Sequence, residues 1–322
     1  MKTIKKVLIL SLVLLPMLAS AQLIACRDSI KDGYDFWLYL PDDYNPKVQE
    51  KPLVMFLHGK SLSGKNLAKV RRYGCLDALA KGRKIDAVIV APQAQGVWQP
   101  EKVLELYDWV RTRYAVDTNR FYVLGMSMGG YGTLDFVATY PDKVAAAMSL
   151  CGGSNKSALC DLSEVPLWII HGTADTAISV KASERVVDAM CACGDTSRLL
   201  LHKLPKVNDS KLARIFYLDQ TYDWLFSHSL TDSARVANKD YTMSVSIMNS
   251  AYDNIQKTTL NVIDSQPGRI EKEEEPVYHT IKPGDSLGKI ALKYKTSVAK
   301  LCRLNNMRKE DVLSVGKKIR VK

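Results

Sequence analysis

Ser127 lies in Gly125-Met126-Ser127-Met128-Gly129, a G-x-S-x-G pattern set between an apolar run at 121–124 and a helical pattern that stops at Pro141. A sharp strand-to-helix turn forces such a serine into a strained backbone conformation, and its hydroxyl then projects from the sheet edge. The flanking glycines leave room for neighbouring backbone. The reaction that uses this geometry is attack on an acyl carbonyl. It also needs N–H donors for the developing oxyanion, a base for the hydroxyl proton, and a carboxylate that orients the base.

Two of these needs are met in chain order. Leu57-His58-Gly59-Lys60 follows an early strand. There the backbone N–H groups of Lys60 and Met128 would face an oxyanion, and each such donor contributes about 2.7–4 kcal/mol of transition-state stabilisation. The Lys60 side chain is incidental to that role, and His58 reads as a loop residue. His171-Gly172-Thr173-Ala174-Asp175 closes a later strand. Asp175 is placed to hold an imidazolium, the alternative being an ordinary turn aspartate.

With Ala91-Pro92-Gln93 and Trp98, Val116-Asp117-Thr118-Asn119-Arg120, Gly125 through Gly132, and Cys151-Gly152-Gly153, these segments resemble exported α/β-hydrolases related to feruloyl esterases, polyhydroxyalkanoate depolymerases and prolyl-oligopeptidase-like enzymes. The resemblance covers about residues 28–228. It implies a serine hydrolase acting on a small ester or peptide, and it selects no substrate.

The resemblance also implies a histidine about four residues after a proline in the loop beyond the last strand. Here that stretch reads Leu204-Pro205-Lys206-Val207-Asn208-Asp209, so Asp209 holds the expected position. Its other role would be to cap, with Ser210, a helix starting near Lys211. A carboxylate is poorly matched to deprotonating a serine, and a second one near Asp175 would repel it. Of the five histidines, 58, 171, 202, 228 and 279, only His202 is a substitute, and a weak one: the strand would have to end near Leu201.

The elements that must position these residues alternate. Strand-like runs at 36–40, 53–57, 87–90, 121–124, 145–150, 167–170 and 198–201 are separated by helical patterns at 101–114, 128–140 and 180–190, and an amphipathic stretch follows at 211–226. That alternation predicts an α/β fold with a mostly parallel sheet covered on both faces. Residues 22–265 form this domain, with 229–265 as its extension, and 266–275 read as an acidic linker.

Residues 276–322 resemble a LysM domain. Tyr278-His279-Thr280-Ile281-Lys282-Pro283-Gly284-Asp285-Ser286-Leu287 reads as a strand, a turn and a capped helix start, with Ser286 or Asp285 as cap. A second helix at 298–304 and a closing strand at 315–321 complete a small βααβ module. The resemblance implies binding of N-acetylglucosamine-containing glycans such as peptidoglycan. The groove would lie between Gly284, Asp285, Ser286 and Leu287 and the loop around 311–314, Leu313 included.

Lys2, Lys5 and Lys6, the apolar run 7–15 and Ala19-Ser20-Ala21 have the layout of a secretory signal peptide cleaved before Gln22. Its core is too short for a transmembrane helix in the mature chain. An alternative lipobox reading of Leu23-Ile24-Ala25-Cys26 makes Cys26 a lipid anchor, with a strand starting soon after it. The net charge of +11 divides into +3 in this segment, +9 over 276–322 and −1 between them. The basic surface belongs to the C-terminal module and suits anionic wall polymers or membrane surfaces; no nucleic-acid motif accompanies it. All seven cysteines follow the signal, so an exported chain can form disulfides. Cys151 and Cys160 could close a short loop, and Cys191 and Cys193 could end a helix or bridge elsewhere. No spacing resembles a metal site, and no cofactor is expected.

Three readings follow. The first is an exported, wall-tethered serine esterase using Ser127 and Asp175. The second is a catalytically impaired hydrolase serving as a wall-binding protein. The third is a prolyl-oligopeptidase-like peptidase, ranked last because no propeller-sized region is present.

Overall fold

Apolar runs without polar alternation must be buried on both faces, and the strands obey this. The computed structural model describes residues 21–264, except 43 and 46–49, and 277–321, except 295, 297, 299–300, 303–304, 306 and 308–312. The expected signal, save Ala21, and the acidic linker lie outside the described residues. The chain divides into two compact units, Met1–Gln266 and Pro267–Lys322.

The larger unit is built on nine strands: β1 (Gln22–Cys26), β2 (Asp35–Leu40), β3 (Lys51–Leu57), β4 (Val88–Gln93), β5 (Val116–Met126), β6 (Ala146–Leu150), β7 (Leu167–Gly172), β8 (Leu199–Leu204) and β9 (Asn261–Ile263). They lie in the order β8-β7-β6-β5-β3-β4-β2-β1-β9. Among them β2 alone runs against the rest, antiparallel to both β1 and β4. The mostly parallel sheet expected from the alternation is therefore present, as the resemblance to α/β-hydrolases also implies. Helices α1 (Cys75–Ala80), α2 (Pro100–Arg111), α3 (Met128–Thr139), α4 (Lys181–Ala192), α5 (Asp209–Leu212), α6 (Asp219–Phe226) and α7 (Val245–Asn249) connect and cover it.

One face packs Trp37, Phe56, Tyr122, Trp168, Phe216 and Trp224. The other packs Phe36, Leu57, Phe121, Leu134 and Phe136. Fully burying side chains of this size stabilises by about 1.5–3 kcal/mol each.

The strand expected after Cys26 is β2, and a further strand, β1, precedes it and ends at Cys26, which is buried there. Strand β8 runs beyond the apolar run 198–201 to Leu204, because Ile170↔His202 and Gly172↔Leu204 keep the ladder in register, so His202 lies inside it as the sequence suggests. Two expectations need correction. The stretch 211–226 is interrupted: Leu218 is extended (ψ 137) between a 3₁₀ turn and α6. The disulfide joins Cys160 to Cys193, tying the turn before β7 to the end of α4, while Cys151 and Cys191 are free thiols.

In the smaller unit, β10 (Tyr278–Thr280) pairs antiparallel with β11 (Lys318–Arg320). Helix α8 (Leu287–Lys293) starts where Ser286 Oγ accepts the Lys289 N–H at 3.3 Å, so Ser286 is the cap. Ile281, Leu287, Ile290, Ala291, Leu301, Ile319 and Val321 form its core.

Candidate active site

Strand β5 delivers the chain to Ser127 and α3 takes it away at Met128. Ser127 has φ 59 and ψ −121, a conformation non-glycine residues rarely adopt and hold only under surrounding constraint. The constraint is visible. Ser127 N–H donates to the Leu150 carbonyl at 2.8 Å, and the Tyr131 N–H donates to the Ser127 carbonyl at 3.0 Å. Glycine is required on both sides. A Cβ at Gly129 would lie 1.8 Å from the Leu57 carbonyl oxygen, and one at Gly125 would lie 2.3 Å from that of Gly129.

The expected donor loop lies against this elbow. A methyl group at Gly59 would sit 3.4 Å from Ser127 Cβ and 2.8 Å from Tyr73 Oη. Lys60 opens a 3₁₀ turn directly after Gly59, with its side chain exposed. The Met128 N–H begins α3 and so has no acceptor within the helix.

Asp175 sits in the turn after β7 with its side chain fully buried. Its Oδ1 accepts the N–H groups of Ala177 at 2.9 Å and Ile178 at 2.8 Å, which fixes the carboxylate. Among the described residues its Oδ2 accepts no N–H or O–H hydrogen bond. Such an atom is costly to bury, since each unsatisfied polar group costs about 1–3 kcal/mol and a charged one more. Its neighbours are His171 Nε2, at 3.6 Å, and the thiol of Cys151 at the end of β6, a weak donor to the carboxylate. Burial raises that thiol's pKa first, and the carboxylates of Asp175 and Asp209 raise it further, so it stays protonated.

The β8–α5 loop brings Asp209 to the same place. Thr173 N–H donates to Leu204 and Ala174 N–H to Val207, each at 2.9 Å, and Gly172 has no room for a Cβ beside the Val207 carbonyl. Asp209 is then the first residue of α5. The cap is Asn208, whose Oδ1 accepts the Lys211 N–H at 3.0 Å, so the capping role expected of Asp209 belongs to its neighbour. Asp209 is half-buried and acts electrostatically on both Cys151 and Tyr73.

The five imidazoles are engaged elsewhere. His58 accepts the Ala94 N–H and bonds the Gly59 carbonyl, and burial pushes its pKa down to about 4. His171 bonds Ser183 Oγ and the Ile178 carbonyl. His202, the weak substitute base, takes the indole N–H of Trp168 on Nδ1 at 3.0 Å and faces Thr242 with Nε2. His228 bonds Trp224 and Asn238, and His279 belongs to the smaller unit. None of these contacts is with Ser127 or Asp209. Tyr73, outside any motif, carries no sequence signal, and Cys151, part of the Cys151-Gly152-Gly153 segment, reads in the sequence as a possible disulfide partner and not as a site residue.

In the smaller unit Gly284 has φ 84 with open space where a side chain would be. Asp285 Oδ2 binds His279 Nε2 at 2.7 Å and the Lys282 N–H at 2.8 Å, so this carboxylate holds the turn together. The His279 hydrogen bond is the main cause of a pKa below the usual carboxylate range. Ser286 is exposed, whereas Leu287 and Leu313 pack on the core. Among the described residues no cluster of metal-ligating side chains is present, and no helix is long and apolar enough to cross a membrane.

Residues 97–214 match the family described as "Putative esterase", and residues 279–322 match the LysM domain. A bifunctional acetylxylan esterase/xylanase from Neocallimastix patriciarum is 27% identical over 162 residues, covering 47% of this chain and 23% of that protein. Poly(3-hydroxyalkanoate) depolymerase C from Paucimonas lemoignei is 33% identical over 64 residues, 20% of this chain and 16% of the depolymerase. The chain thus spans about a quarter or less of these relatives. A thermostable esterase of known structure superimposes with a TM-score of 0.54 at 23% identity, covering 64% of this chain and 63% of the other, and that likeness concerns the fold. The chain carries an esterase-family domain of the α/β-hydrolase fold followed by a C-terminal LysM domain.

Proposed function

We propose that this chain is an exported, wall-associated protein whose esterase-type serine site accepts acyl groups but releases them slowly, because no imidazole serves it. The observation that carries this reading is Asp175 Oδ2, a buried carboxylate oxygen that accepts no imidazole hydrogen bond, on the far side of Cys151 from a strained Ser127. In a complete triad an imidazole would donate to that oxygen and take the serine proton. Here the β8–α5 loop supplies Asp209. Attack would form the bond from Ser127 Oγ to the acyl carbon and pass the Oγ proton to the Asp209 carboxylate. Collapse would return that proton to the departing alkoxide. Hydrolysis of the acyl-serine again needs a base for water, and a carboxylate serves poorly. Removing the histidine of such a triad lowers turnover by roughly six orders of magnitude and leaves a thousandfold or more from binding and the oxyanion donors.

Export is supported by the signal-like first 21 residues and by the Cys160–Cys193 disulfide, which suits an oxidising compartment. Cleavage before Gln22 leaves β1 whole, whereas processing at Cys26 would strip Gln22–Ala25 from the sheet. The LysM resemblance and the basic character of 276–322 support a peptidoglycan-like, anionic glycan as its partner.

Two measurements test this. An activated aryl ester should give a burst of one product per chain followed by slow release, absent in Ser127→Ala; fast sustained turnover contradicts it. The full-length chain should be retained on purified peptidoglycan and a chain ending at residue 265 should not; equal behaviour sinks the wall assignment.

A further inference from the structure

Tyr73 stands between the 3₁₀ turn Leu67–Arg71 and α1, far in sequence from every motif of the site, yet its hydroxyl reaches the oxyanion loop. Oη accepts the Gly59 N–H at 2.7 Å. The Ser61 hydroxyl, in the 3₁₀ turn Lys60–Leu62, interacts with the same phenol. The Gly59 N–H occupies Oη as an acceptor and leaves the phenolic hydrogen uncommitted to that bond, able to turn toward the elbow. The ring is held edge-on against Phe56, with centroids 6.3 Å apart, so the hydroxyl cannot swing out to solvent without repacking that contact.

The point where this hydroxyl ends is the elbow. A methyl group on Gly59 would touch both Tyr73 Oη, at 2.8 Å, and Ser127 Cβ, at 3.4 Å. The other ionisable groups acting on Tyr73 are Cys151 and Asp209, and Cys151 is also the thiol on which Asp175 acts. Four separate elements thus converge on one small volume: the Gly59 loop, the Tyr73 turn, the end of β6 and the start of α5.

We propose that Tyr73 is a catalytic residue of this site, its phenolic O–H a third donor to the oxyanion formed when Ser127 attacks an acyl carbonyl. This rests on the acyl-accepting role proposed for Ser127. As the Oγ–carbon bond forms, the carbonyl π pair moves onto oxygen, and the Oγ proton goes to Asp209. Tyr73 lends its hydrogen bond and keeps its own proton. Burial, reinforced by the negative charge of Asp209, holds the phenol above its ordinary pKa, and it remains a neutral donor through the physiological range. A donor pre-positioned by an accepted hydrogen bond and a packed ring needs little reorganisation when charge develops, which is the condition under which such groups are most effective.

The test is the rate at which a fluorophosphonate probe labels Ser127 in the full-length chain, compared between wild type and Tyr73→Phe from pH 7 to pH 11. Loss of one oxyanion donor lowers the rate by about 10²-fold. The wild-type rate should also fall at alkaline pH as the phenol ionises, and that fall should be missing in Tyr73→Phe. A slower variant with the wild-type alkaline profile would reduce Tyr73 to a prop for Gly59 and overturn the proposal. Equal rates overturn it too, while leaving Ser127's role standing. Failure of the wild type to label overturns both.

Discussion

Asp175 Oδ2 lies 3.6 Å from His171 Nε2, yet that imidazole hydrogen is directed to the Ile178 carbonyl at 2.9 Å. The carboxylate therefore sits beside an imidazole without receiving its hydrogen bond. His171 is bound on its other nitrogen by Ser183, which in turn donates to Gly152, so it is a brace between β7, α4 and the end of β6. The carboxylate proposed for a triad is thus in place, and none of the hydrogen bonds made by the five histidines goes to Ser127.

His202 should then be dispensable for chemistry. Its ring is spent on Trp168 and Thr242 in the middle of β8. His202→Ala should label with a fluorophosphonate within about twofold of wild type, while losing on the order of 1 kcal/mol of stability from the orphaned indole N–H. Abolished labelling in a folded variant would make His202 the base after all.

Ser127 should carry a stability cost that its chemistry requires. Its positive φ is unfavourable for any side chain. Ser127→Gly removes the strain and Ser127→Ala does not, so the glycine variant should be more stable than the alanine variant by about 1 kcal/mol in denaturant unfolding. Both should be unlabelled. Equal stability would mean that the elbow is not strained.

Acid should weaken the larger unit before it affects the carboxylates. His58 is buried with a folded pKa of about 4, below its ordinary 6.5, and burial lowers His202 and His228 as well. Between these pH values the unfolded chain binds more protons than the native one, so stability is fully present above about 6.5 and lost as pH falls toward 4. For His58 alone the loss is roughly 3 kcal/mol. Thermal unfolding from pH 7 to 4 should show this slope, and His58→Gln should flatten most of it. A flat wild-type profile would contradict the assignment.

The sheet and its order of elements were legible because alternating apolar runs and helical patterns carry a strong periodic signal. The elbow was legible because only glycine fits at 125 and 129, and the LysM turn because its residues are local. Less could be read where structure depends on distant contacts. The extension of β8 past His202 is set by pairing with β7, the Cys160–Cys193 bridge by the approach of α4 to a turn 33 residues earlier, and Tyr73's role by a hydrogen bond to Gly59. The capping role passed from Asp209 to Asn208 because the helix begins at Asp209, two residues before its expected start near Lys211.

The central claim is that a carboxylate, Asp209, stands where the proposed site needs an imidazole, and Asp209→His measures it most directly. Asp209 holds the loop position at which the resemblance expects the imidazole, and its charge acts on Cys151 together with that of Asp175. Steady-state turnover of a small aryl ester should rise by two orders of magnitude or more in Asp209→His, and adding Asp175→Asn should remove most of the gain. Wild-type turnover already fast, and unchanged or lowered by Asp209→His, would contradict the account.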